Sequence, residues 1–289
     1  MRSIQAKTIL SSIKPGTDTW FGLRYNMNLY RGCQHGCIYC DSRSACYKLG
    51  DLSDIRIKEN ALLLLDKELK SKREKGTIGF GSMNDPYMPV EKDEELTRNA
   101  LKIVNKYRYP VHIITKSDLV VRDTDLLKET SRIYATVSFT ITTADDGLSK
   151  MIEPGAPVSS RRFEAIRQLA DAGIYCGITL MPVLPFITDF TENLEAIATN
   201  AKMHGAQYIL ATFGMTLREG QREYFYDELD KRFPHLRKRY EQVYGNLYEC
   251  SIPDADDKWK RFEAFCRGID MPLKMKFYQP ETIQQLKLF

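Results

Sequence analysis

Between residues 25 and 212 the chain alternates six times between short stretches rich in β-branched and aromatic residues and longer stretches with helical spacing of apolar residues. No other feature constrains the fold as much. A strand, a helix and a second strand in the same sense close readily only as a crossover within a parallel sheet. The strand patterns are residues 25–30, 77–83, 111–115, 134–140, 174–181 and 207–212. The helical patterns are 58–75, 91–107, 124–131, 159–172 and 191–204, and Gly173 is placed to end the fourth in the left-handed conformation. The expected fold class is α/β, a partial (β/α)6 TIM-type barrel over residues 1–215. A small α-helical and mixed C-terminal extension follows over 216–289, with helices at 221–244 and 259–267 and a short strand at 275–278. In such folds chemistry gathers at the C-terminal ends of the strands.

Composition excludes several classes. Of 289 residues 43% are hydrophobic and 28% charged, as in a globular chain with a sizeable core. The densest apolar run, residues 61–65, is far short of the roughly 20 residues of a membrane span. Residues 1–10 lack the apolar stretch of a secretory leader, so the expectation is a cytoplasmic protein with no membrane partner. Seven cysteines are too sparse for a disulfide scaffold. A net charge of +4 neither names nor excludes a nucleic-acid partner. The basic cluster Lys231, Arg232, Arg237, Lys238 and Arg239 is diluted by Asp227, Glu228, Asp230 and Glu241, so both a solvated helix face and a nucleic-acid contact stay open.

Just after the first strand pattern comes Tyr30-Arg31-Gly32-Cys33-Gln34-His35-Gly36-Cys37-Ile38-Tyr39-Cys40. Gly32 and Gly36 let this loop curl so that three soft thiols converge. Structural zinc wants four protein ligands, usually as two separated pairs. No second C-x2-C pair exists, and His35 would have to fold back inside the same loop. Three cysteines suit a [4Fe-4S] cluster with one iron left free of protein ligands. Cys46, Cys176, Cys250 and Cys266 share no ligand-like spacing and read mostly as small core residues.

C-x3-C-x2-C in the first βα loop, with an aromatic before the last cysteine, resembles the radical S-adenosylmethionine (SAM) superfamily. The resemblance implies a [4Fe-4S] cluster on Cys33, Cys37 and Cys40 and SAM on its open iron. It also implies an electron donor of flavodoxin or ferredoxin type, and cleavage of SAM to methionine and a 5′-deoxyadenosyl radical. From about residue 20 to 215 the chain is similar to the spore photoproduct lyase-like branch. That similarity is carried by Asn28-Leu29-Tyr30-Arg31-Gly32-Cys33, Asn84-Asp85-Pro86-Tyr87, Ile114-Thr115-Lys116-Ser117, Val137-Ser138-Phe139, Glu153-Pro154-Gly155 and Met181-Pro182-Val183-Leu184-Pro185. Carried over position by position, it puts Tyr39 beside the adenine. Ser82, Asn84 and Asp85 fall where the methionine amino group binds, Asn84 foremost, although Asn-Asp-Pro also favours a plain turn. Lys116 pairs with the methionine carboxylate or is an exposed loop lysine. Ser138 bonds ribose or carboxylate, or its own backbone. Arg162 reaches the carboxylate or pairs with Glu153.

Two departures from that branch matter. Ser82 stands where a hydrogen-donating cysteine is expected, and Asp41 where a second tyrosine is expected. The resemblance therefore implies the cofactor chemistry but not the thymine-dimer substrate. Nucleic acid, in DNA repair or base modification, is the leading substrate class. The alternatives are radical modification of a peptide or protein, and a non-catalytic iron–sulfur protein that binds nucleic acid. The last five residues, with Gln285, Leu286, Leu288 and Phe289, resemble the bacterial sliding-clamp-binding peptide except at Lys287. A clamp partner and a tail packed on the chain's own surface both stay open.

Overall fold

Residues 135–140, Ala-Thr-Val-Ser-Phe-Thr, are buried at every position, as a strand covered on both faces must be. The computed structural model describes residues 2–14 and 16–280; the expected clamp-binding tail, residues 285–289, lies outside them. The main strands are β1 (Leu23–Met27), β2 (Thr77–Phe80), β3 (Val111–Thr115), β4 (Ala135–Thr140), β5 (Tyr175–Leu180) and β6 (Ile209–Ala211). Each pairs in parallel with the next in chain order, and Leu10–Ser12 adds an antiparallel edge outside β1. This is a seven-stranded sheet with the order of a partial barrel, as the alternation of patterns requires. Around it lie α1 (Ala61–Ser71), α2 (Leu96–Lys106), α3 (Thr124–Thr130), α4 (Ser159–Asp171) and α5 (Thr191–Met203). Helix α2 shows how they attach: Leu96, Thr97, Ala100, Leu101 and Val104 form its buried stripe.

The second helical pattern, 91–107, is not one helix. It breaks at Glu95, whose φ is +48°. The cause is the fully buried Glu91 carboxylate, which accepts the backbone N–H of Thr97 at 2.9 Å and of Arg98 at 3.3 Å. Glu91 thereby caps α2, and it also holds the Tyr30 hydroxyl below the cysteine loop.

The C-terminal part departs further from expectation. The helix expected over 221–244 is two, α6 (Gln221–Arg232) and α7 (Leu236–Tyr244), interrupted where Pro234 has no N–H to donate. Helix α8 (Ala255–Gly268) exceeds its expected bounds at both ends. Residues 275–278 form no strand. There the tyrosine hydroxyls of β5 and its neighbour take the backbone bonds, Lys276 N–H donating to Tyr175 at 2.9 Å and Tyr134 donating to the Lys276 carbonyl at 2.6 Å. The expected boundary between 215 and 216 falls inside a strand, β7 (Gly214–Thr216), which pairs antiparallel with β8 (Glu249–Ser251). The basic cluster is largely ion-paired: Lys231 and Arg232 hold Glu228, and Arg237 holds Asp230 and Glu241. Cys176, Cys250 and Cys266 are buried as expected, whereas Cys46 is exposed. Among the described residues no helix is long and apolar enough to cross a membrane.

Candidate active site

The cysteine loop leaves a short strand, Tyr30–Arg31, through Gly32 at φ +89°. A Cβ there would lie 2.7 Å from the Leu52 carbonyl oxygen, the atom that accepts the Cys33 N–H at 2.8 Å, so only glycine permits the turn. The far side of the loop rests on residues 152–155. Ile38 N–H donates to the Ile152 carbonyl at 3.0 Å, and Gly155 N–H to that of His35 at 2.8 Å. A Cβ on Gly155 would stand 2.1 Å from the Gln34 carbonyl oxygen. Backbone contacts of this kind hold the loop whether or not its thiols are occupied.

Cys33, Cys37 and Cys40 are unpaired thiols lining one cavity of about 650 Å³ at the C-terminal ends of the parallel strands. Tyr39, Ser82, Asn84, Asp85 and Lys116 line it too. The structure thus gathers eight of the ten expected site residues. Burial pushes the Cys33 thiol up to about 11, with Asp85 adding to the effect. Burial likewise pushes the Cys37 thiol up, against the pull of Lys116. Iron binding there would have to displace the protons of Cys33 and Cys37. Among the described residues no three His, Cys, Asp or Glu side chains close on a single metal ion. A cubane instead spreads three thiolates over three irons, so the donor set fits a cluster better than a lone zinc.

Lys116 directly follows β3, with its ammonium 5.6 Å from the centre of the Tyr39 ring. Burial works against its charge, but Cys37 and Glu153 outweigh that and raise it above the usual lysine range. Tyr39 donates its hydroxyl to the Glu153 carboxylate, which is 1% exposed. Burial would raise the Glu153 pKa, yet Arg162, Lys116 and the Tyr39 hydroxyl together hold it below the usual range. Asp85 is a brace as well as a wall. It accepts the Thr115 hydroxyl and the Lys116 N–H at 2.7 Å each, tying the end of β2 to the end of β3. His35 sits 3.3 Å from it, and these partners outweigh burial to hold Asp85 at about 2. Asn84 donates its amide to the Tyr30 carbonyl at 2.6 Å. The Ser82 hydroxyl accepts from Asn26 at 2.6 Å and Asn28 at 3.2 Å.

Two expected residues lie elsewhere. Arg162 is fully buried in α4 and does not line the cavity. Its guanidinium pairs with Glu153 at 2.5 Å and donates to the Thr140 and Pro157 carbonyls at 2.8 Å each. Of the two roles left open, the ion pair is the one formed. Ser138 is corrected outright. It points into a buried cluster inside the sheet, 2.7 Å from His112 Nε2 and 2.6 Å from the Tyr208 hydroxyl. Tyr208 fits there because Gly177 opposite has no Cβ, which would come within 2.5 Å of the ring. Ser138 shares its face of β4 with Thr136 and with Thr140, which lines the cavity, but lies two residues nearer the start of the strand and so meets the cluster and not the cavity.

Burial pushes the His112 imidazole of that cluster down to about 3. Between that value and the unfolded pKa near 6.5, the unfolded chain binds a proton that the folded chain does not. Stability should therefore be complete above pH 6.5 and decline as the pH falls, by about 2 kcal/mol between pH 7 and 5 from this group. Urea unfolding of the wild type and of His112→Gln at both pH values checks this. An equal pH dependence in the two proteins would refute it.

Sequence reasoning missed the rim contributed by the C-terminal part. Asp41 accepts the Tyr47 hydroxyl at 2.8 Å and that of Thr216 at 3.3 Å, and lies 3.7 Å from Arg218 Nε. Gln221 donates to the Tyr39 carbonyl at 3.0 Å. The Asp41–Thr216 contact joins residues 175 positions apart, and no local pattern announces it.

Residues 27–200 match the model of the Radical SAM superfamily. An uncharacterized protein of Methanocaldococcus jannaschii is 40% identical over 171 residues, 58% of this chain and 63% of its own length, so the chain spans less than two thirds of that relative. An uncharacterized protein of Mycobacterium tuberculosis is 30% identical over 232 residues, covering 76% of this chain and 67% of the relative. A Radical SAM Nalpha-GlyT isomerase of Pseudomonas phage M6 is 25% identical over 174 residues, 58% of this chain and 36% of its own. The fold is similar to spore photoproduct lyase complexed with dinucleoside spore photoproduct. There the TM-score is 0.64 and the identity 16%, over 92% of this chain and 77% of the other.

Proposed function

This chain belongs to the radical S-adenosylmethionine superfamily, and on that premise we propose that it holds a [4Fe-4S] cluster on Cys33, Cys37 and Cys40 and acts on nucleic acid. The observation that carries the cofactor reading is the convergence of three free thiols, the Lys116 ammonium and the Tyr39 ring on one cavity. When bound, the cluster and SAM supply a 5′-deoxyadenosyl radical that takes hydrogen from a substrate.

The chain's own residues then have distinct tasks. Lys116, held charged beside Cys37 and the Glu153 carboxylate, is the group for the methionine carboxylate. Tyr39 offers its ring as a wall for the adenine while Glu153 holds its hydroxyl. Glu153 and Arg162 act through Tyr39 and are positioning residues. Asp85 holds the ends of β2 and β3 together. Strands β7 and β8 line the outer cavity and help exclude water from the radical.

The nucleic-acid reading is supported by the fold shared with a lyase solved with a dinucleoside photoproduct. The lyase's own reaction is not carried over with it. Ser82 bonds to Asn26 and Asn28, and its O–H is too strong a bond to give hydrogen to a carbon radical. The test is anaerobic incubation of the reconstituted, dithionite-reduced protein with SAM and deuterated oligonucleotides or peptides. Deuterium is expected in 5′-deoxyadenosine from an oligonucleotide. Transfer from a peptide alone would replace this substrate class, and no 5′-deoxyadenosine at all would leave a non-catalytic cluster protein. In the same material Lys116→Ala should weaken SAM binding about ten-fold or more; unchanged affinity would remove Lys116 from the carboxylate site.

A further inference from the structure

The cysteine loop has a second face. On the side away from the catalytic cavity lies an open groove of about 760 Å³, lined by His35, Lys92, Arg122, Lys150, Gly155 and Arg161 among others. His35 also lines the catalytic cavity, so at this point one buried residue, sitting between Cys33 and Cys37, separates the two. The Gly155 wall touches the same loop: its N–H bonds the His35 carbonyl at 2.8 Å, and the ring of Pro154 stands 3.6 Å from where a Cβ of Gly36 would be. Four cationic side chains line the groove, against one carboxylate, Asp118, which is paired with Arg161 at 2.5 Å. Arg122 is paired with the fully buried Glu91 and Asp123, so its carboxylate partners lie beneath the surface. Lys92 and Lys150 are exposed, and neither forms an ion pair among the described residues; Lys150 donates to the Pro154 carbonyl at 2.6 Å.

We propose that this groove is the docking surface for a small acidic one-electron carrier protein, which reduces the cluster through the outer face of the cysteine loop. The inference rests on the cluster reading above and adds the place where its electron enters. While substrate and SAM fill the cavity and water is excluded, a reductant needs another approach, and electron transfer falls off steeply with distance. The groove is the approach that passes through a single layer of the ligand loop. Its exposed lysines attract an acidic partner and speed encounter. The step balances: a flavin hydroquinone anion on the carrier gives up one electron and becomes the neutral semiquinone, while the cluster goes from the 2+ to the 1+ state and no proton moves.

The test uses cluster-loaded protein, anaerobically, with fully reduced flavodoxin as the carrier and dithionite as the small reductant. The double variant Lys92→Glu/Lys150→Glu should bind flavodoxin about ten-fold or more weakly at low salt, and its cluster should be reduced by flavodoxin correspondingly slowly. Iron content, melting temperature and reduction by dithionite should match the wild type. Lys238→Glu/Arg239→Glu, which changes the charge equally on α7 away from the groove, should leave flavodoxin binding unchanged. Equal flavodoxin affinity and rate in the groove variant and wild type would overturn the proposal. So would loss of oligonucleotide binding in the groove variant with flavodoxin reduction intact. Failure of the cluster reading looks different: wild-type protein would then hold no iron that dithionite reduces.

Discussion

Replacing Cys33, Cys37 and Cys40 together by alanine is expected to take anaerobically reconstituted protein from about four irons per chain to essentially none, and to abolish formation of 5′-deoxyadenosine. The protein should remain folded. The loop is fixed by the Cys33 N–H on Leu52, the Ile38 N–H on Ile152 and the Gly155 N–H on His35, none of which involves a thiol. Removing the three side chains therefore takes little from the apo state. Iron analysis, the visible absorbance of the cluster and the melting curve of the apo-protein separate the two effects. A triple variant that keeps its full iron would overturn the assignment of these cysteines, and one that unfolds would show the thiols to be structural.

The second large effect is expected at Glu153. It and Arg162 are 1% and 0% exposed, and truncating one partner of a buried pair leaves the other charge without compensation. Glu153→Ala should destabilise the chain by about 3–5 kcal/mol, measured by urea unfolding of the apo-protein. It should also free the Tyr39 hydroxyl and loosen the span between Cys37 and Cys40, so that iron is lost to a chelator roughly 10–100-fold more readily. Glu153→Gln keeps an acceptor for Tyr39 without the charge, and Tyr39→Phe keeps the ring without the hydroxyl. If the carboxylate positions the loop through Tyr39, Tyr39→Phe should share the iron loss but not the full loss of stability. Iron retention equal to wild type in both Glu153→Ala and Tyr39→Phe would confine Glu153 to a structural role.

Much of this was written locally in the chain. The alternation of six strand patterns with five helical ones determined the sheet, because a run such as Ala135–Thr140 has no exposed face to offer and must be covered on both sides. The spacing of Cys33, Cys37 and Cys40, with glycine at 32 and 36, determined a loop that brings three thiols to one cavity, since convergence of three side chains within eight residues is a local property of the backbone. Lys116, Asn84 and Asp85 were legible as strand-end residues for the same reason.

Tertiary structure decided the rest. Ser138 meets His112 and Tyr208 instead of the cavity because, although it shares a face of β4 with the cavity-lining Thr140, it lies two residues nearer the start of the strand, a depth that only the packed structure shows. Glu91 reads as an ordinary member of a helix, yet buried it becomes the cap that ends one helix and starts the next. Arg162 pairs with Glu153 because both are buried far from water, where a lone charge is unaffordable. The rim of Asp41, Thr216 and Arg218 exists only once the segment after β6 folds back over the cysteine loop. Local spacing specified the groups gathered at the candidate site, whereas their orientation, their charge and the walls around them came from contacts between residues distant in the chain.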